Sequence, residues 1–214
     1  MGYNTAQFWQ GGENMTRDTS GQLRTAIYAV LLLWVAFIVY LIYRTPSPAP
    51  WMLLRAAALL GYSTLFLSIL SSEYVREMRK LFGRPFMRVH HTLAVVGLVL
   101  MAVHPLAYAV ISRSLSVFLP TVSTLRAFLT FAGRPALYLI WIAVLAAVAR
   151  RRIKDVWKFI HWLNYLAFTL VFVHSRLLGE DMAAGPLRLI SVAMVIIVLG
   201  VLVHKRLLRR PGKA

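Results

Sequence analysis

Six long apolar stretches follow one another along the chain, each closed by charge, proline or glycine: Leu23–Tyr43, Trp51–Ser71, Val89–Ile111, Arg134–Ala149, Trp157–Leu177 and Pro186–His204. About 20 consecutive apolar residues, wound as a helix, cross the hydrocarbon core of a bilayer. The pattern predicts an all-α membrane protein, a bundle of six transmembrane helices. The fourth stretch is short unless it begins near Ala127. Outside the bundle, 23–204, the pattern leaves a polar tail, 1–22, and a basic tail, 205–214. Residues 1–20 lack a basic start leading into a cleavable apolar core, so they read as a tail and not as a signal peptide.

The positive charges orient the bundle. Seventeen of the 24 Lys and Arg fall in the first tail, the loops after the second and fourth stretches, and the last tail. The other side holds seven: Arg44, Arg55, Arg113, Arg126, Arg134, Arg176 and Arg188. Cytoplasmic loops are the basic ones, which puts both termini in the cytoplasm. Six crossings return the chain to its starting side, so count and orientation agree. Odd-numbered helices then run outward, and helices three and five are parallel. The expected location is the inner (cytoplasmic) membrane of a bacterium or archaeon.

Composition narrows the chemistry. Hydrophobic residues make up 59% of the 214 and charged residues 14%, with mean hydropathy +0.68. A net charge of +17 would suggest nucleic acid in a soluble domain. Here the basic loops absorb it, so no nucleic-acid partner is expected, and the loops suit membrane lipid with anionic headgroups. There is no cysteine. That removes disulfides, thiolate metal sites and iron–sulfur clusters. No Gly-rich phosphate loop lies between a strand and a helix, and no flavin or nicotinamide domain is expected within the 214 residues.

Five of the six histidines lie in helices three and five: His90, His91, His104, His161 and His174. An ionisable group inside a membrane is costly and usually functional. One alone would most simply hydrogen-bond a neighbouring helix. His90 and His104 are 14 residues apart, about 21 Å along a helix, and His161 and His174 are 13 apart, about 20 Å. In parallel helices His90 comes level with His161, and His104 with His174. Fourteen residues return a helix to within about 40° of its starting direction, so His90 and His104 share a stripe. Gly97 lies halfway along it, where a glycine leaves room for a flat macrocycle or for close helix packing. His91 competes with His90, but lies about 140° from His104 and is the less favoured. His161 and His174 are also about 140° apart in an ideal helix, and only a tightened or bent stretch aligns them.

Two facing imidazoles give six-coordinate haem iron suited to electron transfer. Zinc wants a tetrahedral set that two histidines do not complete. The expected cofactor is therefore haem b, two groups if both pairs are used and one if only one is. Cations for the propionates are Arg88, Arg84 and Lys158 at the inner pair, and Arg113, Arg126 and Arg176 at the outer. Each also suits an interfacial charge. Phe168 lies between His161 and His174, where it reads as packing.

The stretches Arg88-Val-His90-His91…His104-Pro105 and Trp157-Lys-Phe-Ile-His161-Trp-Leu-Asn-Tyr…His174 resemble the ferric-reductase-like transmembrane domain family. NADPH oxidases, ferric reductases and the haem-binding membrane subunit of the bacterial methionine sulfoxide reductase system contain that domain. The resemblance covers roughly residues 50–180. It implies His90 and His161 on an inner haem and His104 and His174 on an outer one. It also implies electrons moving from a cytoplasmic flavoprotein or quinol to an acceptor outside. The chain departs from the oxidases in lacking their flavin–nicotinamide domain, which leaves open whether it is an enzyme by itself. The alternatives are a quinol-linked cytochrome anchoring another redox enzyme, and a transporter or scaffold without a redox centre.

Overall fold

The computed structural model describes residues 5–82, 86–183 and 185–208. It is helical, with no strand among the described residues. α1 (Thr5–Arg44), α2 (Ala49–Glu73), α4 (Phe86–Ser112), α9 (Leu163–Leu178) and α11 (Gly185–Leu202) carry most of the apolar sequence. Shorter pieces lie between them: α3 (Val75–Phe82), α5 (Leu125–Thr130), α6 (Gly133–Val148), α7 (Arg150–Ile153), α8 (Val156–His161) and α10 (Glu180–Ala183).

Five stretches are long and apolar enough to cross a membrane: Gly21–Arg44, Ala49–Glu73, Met87–Ser112, Val156–Leu178 and Gly185–Lys205. Each agrees with a predicted segment to within two residues at either end. Large apolar side chains cover the outside, among them Leu32, Leu33, Val110 and Leu189. Such a surface fits hydrocarbon and not water. The fourth predicted segment, Arg134–Ala149, coincides with α6 to within one residue and is shorter than the other five. α6 has 16 residues, and α5 precedes it across a turn at Phe131 and Ala132.

Local chemistry sets the element ends. Pro48 precedes α2 and Pro50 occupies its first turn, where a missing N–H costs nothing. Thr124 caps α5, its Oγ1 accepting the Ala127 N–H at 3.1 Å. The polar tail continues the first helix from Thr5 onward. Within the basic tail, 205–208 continue past α11 as a wide turn, and 209–214 lie outside the described residues. α3 was not legible as a separate helix: it turns Val75, Met78 and Phe82 inward and leaves Arg76, Arg79 and Lys80 exposed. Phe82 meets the Tyr28 ring edge-on at 6.1 Å.

The core lies where α1, α2, α9 and α11 meet, around Ile38, Leu59, Tyr62, Phe168 and Val198. Phe168 is fully buried and stacks on Tyr62 at 4.7 Å, the packing role read from the sequence. A second cluster, Ala136, Ile140 and Ala167, joins α6 to α9. Small residues there let the two backbones approach, as helices packed in lipid require. α4 packs along α2, and α9 packs along α6, whereas direct packing of α4 on α9 is sparse.

Candidate functional site

The histidine-bearing helices, α4 on one side and α8 with α9 on the other, are thus held by different partners. His104 and His174 have ring centres 6.4 Å apart, with planes at 77°. His90 lies within electrostatic range of His161. The structure therefore brings the four residues into two sets at opposite ends of α4.

All four imidazoles are anchored alike. His90 Nδ1 donates to the Ser68 carbonyl at 3.1 Å, and His104 Nδ1 to the Leu54 carbonyl at 3.1 Å, both on α2. His161 Nδ1 donates to the Ala143 carbonyl of α6 at 3.0 Å. His174 Nδ1 donates to the Thr130 carbonyl at the end of α5 at 2.8 Å. A carbonyl oxygen only accepts, so in each neutral ring the proton is on Nδ1 and Nε2 carries the lone pair, which at His161 faces the Asn164 amide nitrogen at 3.5 Å. Metal-binding histidines are oriented in this way, the second nitrogen bonded to a carbonyl or carboxylate. The carbonyls carry no sequence signal, which is why the reading of residue types did not find them.

Neighbouring polar groups complete the inner set. The Ser68 and Ser71 hydroxyls lie 3.4 and 3.5 Å from His90 Nδ1. Asn164 holds its amide nitrogen 3.4 Å from His161 Nδ1 and 3.5 Å from Nε2. Trp157 lies 6.0 Å from the His161 ring.

A turn after His161 tightens the stretch between His161 and His174 and narrows the angle between them. α8 ends at His161, and the Trp162 N–H points back to the carbonyls of both Lys158 and Phe159 at 3.2 Å. The Tyr165 N–H then bonds the Trp162 carbonyl at 3.0 Å. The bonds to Phe159 and Trp162 span three residues, the winding of a 3₁₀ turn, and the bond to Lys158 spans the α-helical four. Three such residues advance about 60° further than α-helical ones, reducing the 140° offset to about 80°.

Gly97 faces α2. A Cβ built there would meet Thr64 Cγ2 at 3.6 Å and the Leu65 nitrogen at 3.9 Å. Of the two sequence readings of Gly97, this contact is the close helix packing; the α2 carbonyls that hold His90 and His104 lie on the same helix it faces. Arg88 is exposed on α4 two residues before His90, and helical geometry aims it elsewhere. Lys158 is exposed with an ion pair to Asp155 at 3.7 Å. Arg113 and Arg126 are exposed, while Arg176 Nη1 donates to the Met182 carbonyl. Arg84 lies outside the described residues. His91 is exposed beside His90, their ring centres 5.8 Å apart.

A metal could be held here only between two imidazoles. Among the described residues no three or more of His, Cys, Asp or Glu converge, so the set for a closed tetrahedral site is not assembled. An imidazole–metal–imidazole unit with bonds of about 2 Å puts ring centres about 6 Å apart. The 6.4 Å between His104 and His174 fits it. α2 also ends two residues later than the sequence pattern suggests, which brings in Glu73. The Tyr165 hydroxyl donates to Glu73 Oε1 at 2.7 Å.

The family model described as Domain of unknown function (DUF8596) matches residues 49–181. That is more than half of the chain, and the chain belongs to this family. The matched region runs from the start of α2 to Asp181 and includes all four anchored histidines. No curated protein and no solved structure matches the chain.

Proposed function

We propose that this member of the DUF8596 family is a six-span membrane subunit that carries electrons across the bilayer on haem b. His90 with His161 would hold an inner haem, and His104 with His174 an outer one. α5 and α6 together form the fourth span, and both termini lie in the cytoplasm. The 17-to-7 division of positive charge supports that orientation. The observation that carries the reading is the common anchoring of four intramembrane imidazoles. Each gives Nδ1 to a main-chain carbonyl, which would leave Nε2 to act as the ligand. The likeness of the Arg88–Pro105 and Trp157–His174 stretches to the ferric-reductase-like domain, carried by the same histidines, agrees with it.

Bound haem would supply a six-coordinate iron that exchanges one electron without an open position. The chain itself supplies depth, ring orientation and exclusion of water. The basic cytoplasmic face, with Arg79, Lys80, Arg150, Arg151 and Lys154 exposed, suits a separate donor, a flavoprotein or a quinol. The acceptor is external. Haem-free variants should be less stable, because a site absent from the unfolded chain links binding to folding.

The test is the dithionite-reduced minus air-oxidised spectrum of the purified chain in detergent. A b-type band is expected. A flat difference spectrum after expression with ample haem removes the redox reading and leaves the transporter or scaffold. Reduction by a quinol analogue alone would assign the donor as quinol; reduction only with an added flavoprotein and NADPH would assign the other.

A further inference from the structure

The junction between α5 and α6 is built around His174. In an uninterrupted helix the Thr130 carbonyl would accept the Arg134 N–H. Here Arg134 N–H bonds the Phe131 carbonyl at 3.0 Å and Ala132 N–H bonds the Leu129 carbonyl at 3.3 Å. The tightened turn frees the Thr130 carbonyl, and His174 Nδ1 takes it at 2.8 Å.

Gly133 follows that turn as the first residue of α6. A Cβ at this position would stand 2.8 Å from His174 Cδ2, 3.0 Å from Nε2 and 3.1 Å from Cγ. The first of these is closer than real side chains come, and all three atoms belong to one ring. The ring cannot swing aside and keep the Thr130 bond. Backbone conformation does not require glycine here, because among the described glycines only Gly185 has a positive φ. On helix propensity alone, alanine would be the better residue. The glycine is explained by the space it leaves.

We infer that Gly133 is a positioning residue for His174: its missing side chain seats the imidazole edge that carries Nε2, while the turn before it supplies the carbonyl that fixes the ring. The inference concerns the outer ligand of the function proposed above and rests on that reading for its haem readout, while the Gly133–His174 contact stands on the chain's own geometry. Gly133 touches the ligand ring and acts through it.

A double-mutant cycle in unfolding separates this from generic packing. Gly133→Ala alone should lower the unfolding midpoint. In a His174→Ala background the obstructing ring is gone, and Gly133→Ala should then be neutral or stabilising. Equal destabilisation in both backgrounds would overturn the inference. The haem-loaded protein gives a second readout. Gly133→Ala should lose or shift one low-spin haem signal, with a changed midpoint potential, and leave the other as in the parent. Two unaltered signals would also overturn it. If the single variant does not fold, the same substitution in the His174→Ala background should restore a folded protein, and failure to do so counts against the inference. Absence of haem from the parent protein would defeat the proposed function, while the sign change in unfolding would still establish the Gly133–His174 contact.

Discussion

Arg55 reaches Asp181 with both arms of its guanidinium, Nε to Oδ2 at 2.8 Å and Nη2 to Oδ1 at 2.7 Å. It also donates to the Thr45 carbonyl at 2.9 Å and the Leu41 carbonyl at 3.2 Å, at the C-terminal end of α1. One side chain therefore ties α1, α2 and α10 together, one residue from the Leu54 carbonyl that anchors His104. The side chains are 15% and 23% exposed. Exposed pairs contribute about 0–1 kcal/mol, and breaking a buried pair costs about 3–5 kcal/mol. A bidentate pair at this depth lies between the two, so a coupling of about 2 kcal/mol is expected, about thirty-fold in the folding equilibrium. The assay is a cycle of Arg55→Met and Asp181→Leu, read by denaturant unfolding in detergent. Arg55→Lys keeps the charge, loses the fork and should recover only part of the coupling. A coupling below about 0.5 kcal/mol would refute the reasoning, since neighbours in contact ordinarily exceed it. So would a coupling abolished by added salt, the behaviour of a surface pair.

Other consequences can be checked separately. His161→Ala should halve the haem content, since each bis-imidazole iron needs both ligands; unchanged content removes His161 from the ligands. His91→Ala should leave the content intact, because the ring is exposed and His90 holds the carbonyl; a loss would exchange their roles. Tyr165→Phe deletes the bond to Glu73 and should lower stability by about 1 kcal/mol, read as an unfolding midpoint; no change would mean the bond contributes nothing net. Ala136→Leu puts a branched side chain into a fully buried contact between α6 and α9 and should cost about 1–3 kcal/mol or more; a neutral result would place slack where the structure has none.

Much of the fold is written in hydropathy, because lipid-facing helices must be apolar over their whole crossing. Both ends of α2 and the last end of α11 follow from Pro50, the charges after Glu73 and the basic run after His204. The division between α5 and α6 was harder to read. Phe131 and Ala132 are ordinary helix residues, and the turn there is fixed by a tertiary bond from His174. The level placement of His104 and His174 was legible from spacing and parallel direction. The turn at Trp162 was legible only as a demand, since no proline or glycine marks it. Gly97 stayed ambiguous because a glycine on a histidine stripe suits a macrocycle and a tight helix contact equally, and its contact with Thr64 lies on another helix. Asp181 carried no signal until Arg55 was placed beside it, 126 positions earlier in the chain.

Haem-to-chain stoichiometry of the purified protein, by pyridine haemochrome against quantitative amino-acid analysis, tests the central claim most directly. The paired, carbonyl-anchored imidazoles predict two haem b groups per chain, falling to one when either member of a pair is replaced by alanine. No haem in the parent protein, or a content indifferent to all four histidines, would contradict the account.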